Sequence, residues 1–196
     1  MVITVQQEPG RLVRVSETDG SLAGISADFF RFDGSDAGLV LAFISPHLDF
    51  PAVCAGLAGM IGAVPVVAVS TAGSLCSAAP RSGPLYRATG DHWNSVVIEA
   101  FSPALIAAVS VHSIPLHNDD IRQGAPSLSR SERIRRIAAS LAAERVPFKI
   151  DSRDTLALTF VDGLSACESY LMEAVYRKRC PVPTGQGTGV TAFAVA

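Results

Sequence analysis

The chain has 196 residues, of which 48% are apolar and 17% charged, with a formal net charge of −2 and a mean hydropathy of +0.33. This apolar fraction is enough for a packed core and excludes an intrinsically disordered chain. The near-neutral charge gives no long-range attraction for nucleic acid or anionic lipid, so neither is an expected partner.

Residues 1–35 form an N-terminal segment in which the pattern is weak. Residues 3–5 and 12–15 have the composition of short strands, and residues 21–32 favour one helix. No basic start precedes an apolar run, so the segment does not resemble a secretory signal. The four cysteines are too far apart in sequence for a zinc or dithiol motif, which favours reduced thiols and a cytoplasmic protein.

A strand–helix–strand unit is predicted over residues 38–70. Residues 38–44 form an uninterrupted apolar run, typical of a strand buried on both faces. Asp49 is suited to cap a helix that runs to about Ile61, and Pro65 to Ser70 is the next strand. Because Pro65 and the valines after it interrupt the apolar stretch, we expect a buried helix and a buried strand rather than membrane insertion.

The middle of the chain predicts two strands and an amphipathic helix. Residues 94–101 and 104–116 have strand composition, and the short link around Pro103 favours an antiparallel hairpin. Ser129 and Glu132 match a capping box at the start of the helix. The arginines at positions 130, 133 and 136 predict a solvated face on that helix.

A second strand–turn–helix unit follows. Residues 155–161 are the strand, Asp162–Gly163 the turn, and Ser165 and Glu168 another capping box. Residues 177–196 are a glycine- and proline-rich tail in which 190–195 have the composition of a last strand. The expected fold is α/β, with a mixed, partly parallel β-sheet flanked by helices, two strand–turn–helix units and one hairpin.

Sequence motifs for catalysis are absent. There is no Gly-x-Ser-x-Gly elbow, no Ser-x-x-Lys, no Gly-x-Gly-x-x-Gly after a strand and no phosphate-binding loop. The spacing places no base beside any nucleophile, so a hydrolase is the least favoured function. His112 and His117, with acidic residues at 119 and 120, are of types that can bind a metal ion. The two histidines are five residues apart at a strand end, which does not place them on one face, so no metal site is predicted.

Polar residues at predicted strand ends are the best candidate site. Ligands of open α/β sheets bind outside the carboxyl ends of the strands, where hydroxyls and backbone amides hold carboxylates or phosphates. A carboxylate in the same place can pair with an ammonium group, which suits an amino acid. The candidate ligand-binding residues are Ser45, Ser70, Thr71, Ala72, Gly73, Asp162 and Gly163.

The same strand ends carry a family resemblance. AFISPHLDF at 42–50, VPVVAVSTAG at 64–73 and TLALTFVDGLSACE at 155–168 occur in that order and resemble the N-terminal region of the FIST sensory domain. Three motifs in the right order are more specific than any one of them. The likeness defines a FIST-N-like α/β domain over residues 36–176.

The resemblance implies a bacterial, intracellular signal-input domain that binds a small ligand, such as an amino acid. It also implies output through a histidine kinase, a chemotaxis receptor or a diguanylate cyclase. One alternative is a haem-based nitric oxide sensor, with His112 or His117 as the iron ligand and His47 as the next candidate. A truncated remnant that only contacts partners is a further alternative, because residues 177–183 replace the family's usual Gly-Gly-Ser-Ala-Gly-Asp strand end.

Overall fold

The computed structural model describes residues 12–76, 92–151, 153–163, 165–177 and 189–195. The chain divides into two compact units, Met1–Ala107 and Ala108–Ala196. Each unit is built around its own sheet and has its own hydrophobic core. The α/β class is thereby confirmed, while the boundaries at 35/36 and 176/177 stay a prediction.

The first unit contains a four-stranded mixed sheet in the order β1-β6-β4-β5. Its strands are β1 (Val13–Thr18), β4 (Leu39–Ile44), β5 (Val66–Ser70) and β6 (Val96–Phe101). β4 is parallel to β5 and antiparallel to β6, and β6 is antiparallel to β1. β4 lies inside the sheet and is buried at five of its six positions, as its unbroken apolar run predicts.

Helix α1 (Phe50–Ile61) connects β4 to β5 and confirms the first predicted unit. Asp49 caps it, because the Asp49 carboxylate accepts a hydrogen bond from the Ala52 N–H at 3.1 Å. Val53, Leu57 and Ile61 recur every four residues and form its buried face. Within the described residues, no helix is long and apolar enough to cross a membrane.

Residues 21–32 do not form the predicted helix. They contain a 3-10 turn at Ala27–Phe30 and the first strand of a small hairpin, β2 (Arg31–Phe32) with β3 (Ser35–Asp36). Asp33 and Gly34 join these strands with φ angles of 49° and 83°, the left-handed geometry that a two-residue hairpin turn requires. The predicted strand at 12–15 is confirmed by β1, and the one at 3–5 lies outside the described residues.

The second unit contains a three-stranded parallel sheet in the order β7-β9-β8. Its strands are β7 (Val109–Ser113), β8 (Thr155–Val161) and β9 (Gly189–Val195). The last strand predicted from the tail is therefore real, and it lies between the other two. The predicted hairpin of residues 94–101 with 104–116 is wrong, because β6 is flanked on both edges by β1 and β4 and β7 belongs to the other sheet.

The described residues of the second unit also contain three helices: α2 (Asp119–Arg122), α3 (Arg130–Ala143) and α4 (Glu168–Arg177). Ser129 caps α3, since its hydroxyl accepts a hydrogen bond from the Glu132 N–H at 3.2 Å. Ser165 is not the cap of α4; its hydroxyl accepts from the Cys167 N–H, one residue before the helix begins. The core of the unit consists of Ile114, Leu116, Ile134, Ile137, Cys167, Leu171 and Ala174.

Cys54 and Cys167 are free thiols, Cys76 is buried, and Cys180 lies outside the described residues. Burial raises the pKa of the Cys54 and Cys167 thiols, which favours their neutral form.

Candidate functional site

The carboxyl ends of β4 and β5 lie side by side at one edge of the first sheet. Ile44 is paired with Ser70, and the Thr71 N–H donates to the Ile44 carbonyl at 3.0 Å. Ser45 and Thr71 therefore leave neighbouring strands that are about 4.8 Å apart. β6 begins at the same edge, since Val96 is also paired with Ile44. We call residues 45–49, 70–74 and 92–95 the β4–β5 edge.

The Ser45 hydroxyl links two segments of this edge by hydrogen bonds. It donates to the Trp93 carbonyl at 2.6 Å and accepts from the His47 N–H at 3.2 Å. Only 1% of Ser45 is exposed. Because a serine hydroxyl has one proton to donate, Ser45 positions the segment before β6 rather than offering a donor to solvent.

Two histidines and a tryptophan cluster beside Ser45. His47 Nδ1 lies 3.2 Å from His92 Nδ1, so one ring nitrogen donates and the other accepts. The His47 ring centroid lies 4.7 Å from that of Trp93, in an edge-on contact. Both histidines are exposed residues.

Sequence reasoning did not select His92 or Trp93 for the site. Their region has loop-like composition, and the hydrogen bond that brings Trp93 to Ser45 spans 48 residues, which no local pattern reports. The available signal is the single tryptophan of the chain, next to a histidine and just before a strand.

The segment after β5 supplies the hydroxyl groups of the edge. Ser70 is exposed and Thr71 partly exposed, and the Thr71 hydroxyl lies 3.2 Å from that of Ser74. Ala72 is exposed and Gly73 partly so, and neither carries a side chain large enough to cover the hydroxyls. The structure thus brings Ser45 and residues 70–73 to the same sheet edge.

Asp162 and Gly163 follow β8 in the second unit. The Asp162 carbonyl accepts a hydrogen bond from the Ser165 N–H at 2.9 Å and closes a turn ahead of α4. Asp162 is half-buried and Gly163 exposed. This turn lies at the carboxyl end of β8, in the sheet of the second unit.

The comparisons with known proteins identify the family. Residues 38–189, which are more than half of the chain, match the family model of the FIST N domain. The chain belongs to the FIST N domain family. The FIST domain is a sensory domain, and the match includes the whole β4–β5 edge and the Asp162–Gly163 turn. No curated protein and no solved structure matches the chain significantly.

The other histidines of the FIST N domain differ in their surroundings. His112 is buried and both its ring nitrogens are engaged, Nε2 with Ser110 and Nδ1 with Glu144. The His117 Nε2 lies 3.5 Å from the Ser140 hydroxyl. In the part of the chain that the structure describes, no three histidine, cysteine or acidic side chains are grouped to hold a metal ion.

Arg133 departs from its predicted position on a solvated face. It is 1% exposed, and its Nη2 donates to both carboxylate oxygens of Asp120 at 2.8 Å. The N–H groups of Leu128 and Ser127 also donate to Asp120, and with Arg133 they hold the pKa of that carboxyl well below its usual range. Arg133 Nη1 is buried and has no partner in the described structure.

Proposed function

We propose that this FIST N domain is a signal-input domain that binds a small polar molecule at the β4–β5 edge. The observation that carries the proposal is that the exposed Ser70 and the partly exposed Thr71 lie at the same sheet edge as the exposed, hydrogen-bonded His47 and His92. His47 follows β4, and Ser70 and Thr71 lie at the end of β5, so they are at the carboxyl ends of neighbouring parallel strands, where α/β sheets bind ligands; His92 comes from the segment before β6.

An amino acid suits the chemistry of this edge. Hydroxyl and imidazole groups can donate hydrogen bonds to its carboxylate. Asp49, exposed at the start of α1, keeps a carboxylate oxygen that the Ala52 N–H does not use, and such an oxygen can accept from an ammonium group. Asp162 and Gly163, in the second unit, stay a further candidate for ligand contact.

A thermal-stability screen tests the proposal. The full chain is heated in the presence of each of the twenty protein amino acids and of small di- and tricarboxylates. A ligand at about 100 times its Kd stabilises the folded state by about 2.7 kcal/mol, which raises the Tm by roughly 5–10 °C in a chain of this size. No shift with any of these compounds contradicts the proposal.

A matched pair of variants locates the binding. Thr71→Val removes a hydroxyl from the β4–β5 edge, and the loss of one hydrogen bond to a charged ligand weakens affinity about tenfold. Thr159→Val makes the same change at an exposed position of β8 and leaves affinity unchanged. Equal affinities for both variants and the natural chain place binding away from the Thr71 hydroxyl and overturn the assignment of this edge.

The haem alternative rests on weaker geometry. His112 does not fit a haem iron, because coordination through either ring nitrogen breaks a 2.6 Å hydrogen bond. His47 is exposed and bonded to His92, whereas a haem needs an apolar cavity. His117 is the remaining ligand in this alternative. Mixing the purified chain with haem tests this alternative: a Soret band that His117→Ala shifts would establish it, and the absence of a Soret band would rule it out.

The output partner is inferred from the family alone. A histidine kinase, a chemotaxis receptor or a diguanylate cyclase would read the ligand-bound state, as befits a signal-input domain.

A further inference from the structure

A hydrogen-bonded chain of three side chains lies in the second unit. Ser110 Oγ is 2.6 Å from His112 Nε2, and His112 Nδ1 is 2.6 Å from Glu144 Oε2. Ser110 and His112 are two apart on β7, so their side chains share one face of the strand. Glu144 immediately follows α3, and the end of that helix brings its carboxylate to the imidazole.

The protons in the Ser110–His112–Glu144 hydrogen bonds can be placed from which atoms are able to accept. An ionised carboxylate only accepts, so the proton between His112 and Glu144 belongs to Nδ1. In a neutral imidazole Nε2 then carries no proton, so the Ser110 hydroxyl donates its hydrogen bond to His112 Nε2. This is the order of nucleophile, base and orienting carboxylate on which serine acyl transfer depends.

We propose that Ser110 is the nucleophile of an acyl-transfer activity toward small esters, with His112 as general base and Glu144 as a positioning residue. Ser110 Oγ attacks the ester carbonyl carbon while its proton passes to His112 Nε2. The C–O bond to the alcohol then breaks, and His112 returns the proton to the departing alkoxide. Water attacks the acyl–serine by the same route, releasing the acid and restoring the serine.

The burial of the three groups sets the substrate class. Ser110 is 9% exposed and the His112 side chain 7%, whereas 35% of the Glu144 side chain is exposed. Only a narrow group can approach a hydroxyl with so little exposed surface. The activity is therefore directed at acetyl and similarly short esters, and this function is independent of ligand binding at the β4–β5 edge.

The test uses the full chain with p-nitrophenyl acetate and a small alkyl fluorophosphonate. The fluorophosphonate forms an O–P bond to the nucleophilic serine with loss of fluoride, and peptide mass spectrometry identifies the labelled residue. We expect one label, on Ser110, and ester hydrolysis that falls from acetate to butyrate to octanoate. Because the labelling is done on the natural chain, its outcome does not depend on how any variant folds.

Variants then assign the roles. Ser110→Ala abolishes both label and hydrolysis, and His112→Gln lowers kcat by about 10²- to 10⁴-fold. Glu144→Gln lowers kcat with KM unchanged and still allows slow labelling of Ser110, which a loss of folding would not do. Ser16→Ala, a buried strand serine in the first unit, leaves both unchanged. The absence of label on Ser110, or hydrolysis that survives Ser110→Ala, overturns the proposal.

Discussion

Arg133 illustrates how one buried charge is stabilised. A guanidinium taken out of water is costly unless an opposite charge and hydrogen bonds accompany it. Asp120 supplies both to Nη2, and two backbone N–H groups hold Asp120 in place. Because Arg133 Nη1 has no partner in the described structure, the stabilisation of the buried charge depends on Asp120.

Replacement of Asp120 tests this dependence. Asp120→Asn keeps the shape of the side chain but leaves the buried Arg133 charge uncompensated, and we expect the Tm to fall by about 10 °C. Asp119→Asn makes the same change at the preceding exposed residue and should alter the Tm by no more than about 1 °C. Equal effects in thermal denaturation would contradict the role given to Asp120.

The same carboxylate gives a pH dependence with a defined sign. The folded-state pKa of Asp120 lies below its unfolded value, chiefly because the Leu128 and Ser127 N–H groups donate to it. Its contribution to stability is therefore complete above the unfolded pKa of about 3.9 and is lost as the pH falls below that value toward the folded one. Stability measured in this acid range should fall more steeply in the natural chain than in Asp120→Asn.

Local signals were sufficient for some residues and not for others. Ser129 and Asp49 were predicted as helix caps and are caps, because a cap is decided within four residues of sequence. Arg133 was predicted to be exposed and is buried. Its spacing from the neighbouring arginines describes the helix alone, whereas its burial depends on α2 and the segment after it.

The strand–helix–strand unit at 38–70 was predictable because each signal lies within it. An apolar run, a capping aspartate and Pro65 mark its strand, helix and second strand almost to the residue. The short link after β6 predicted a hairpin with β7 that does not form. Both edges of β6 are occupied by β1 and β4, and this long-range pairing excludes β7.

Substitutions at two glycines test how closely the backbone just before β4 packs against residue 106. A Cβ at Gly38 would lie 2.5 Å from the Ile106 carbonyl oxygen, whereas a Cβ at Gly59 in α1 meets nothing within 4 Å. Gly38→Ala should therefore destabilise the chain by about 1–3 kcal/mol. Gly59→Ala should stabilise it by about 0.5–1 kcal/mol, since alanine favours the helix. Urea denaturation measures both, and a stabilising Gly38→Ala would contradict the close approach.

At the scale of the molecule, the family was predictable from three short motifs, and the match over 38–189 confirms it. The placement of Ser45 and residues 70–73 at one sheet edge was also foreseeable, because neighbouring parallel strands end at the same edge. His92 and Trp93 were not foreseeable, since a contact 48 residues apart in sequence places them. Asp162 and Gly163 follow a strand of the other unit. The sequence pattern marks strand ends but does not show which sheet a strand belongs to.

The most direct test of ligand binding at the β4–β5 edge is a ¹H–¹⁵N NMR titration of the full chain with each of the twenty protein amino acids. The chain has one tryptophan, so the Trp93 indole N–H gives a single signal beside His47. We predict that one amino acid shifts this signal and the amide signals of residues 70–73 with a common Kd. Signals there that stay fixed with all twenty, or shifts confined to other parts of the chain, would contradict the account.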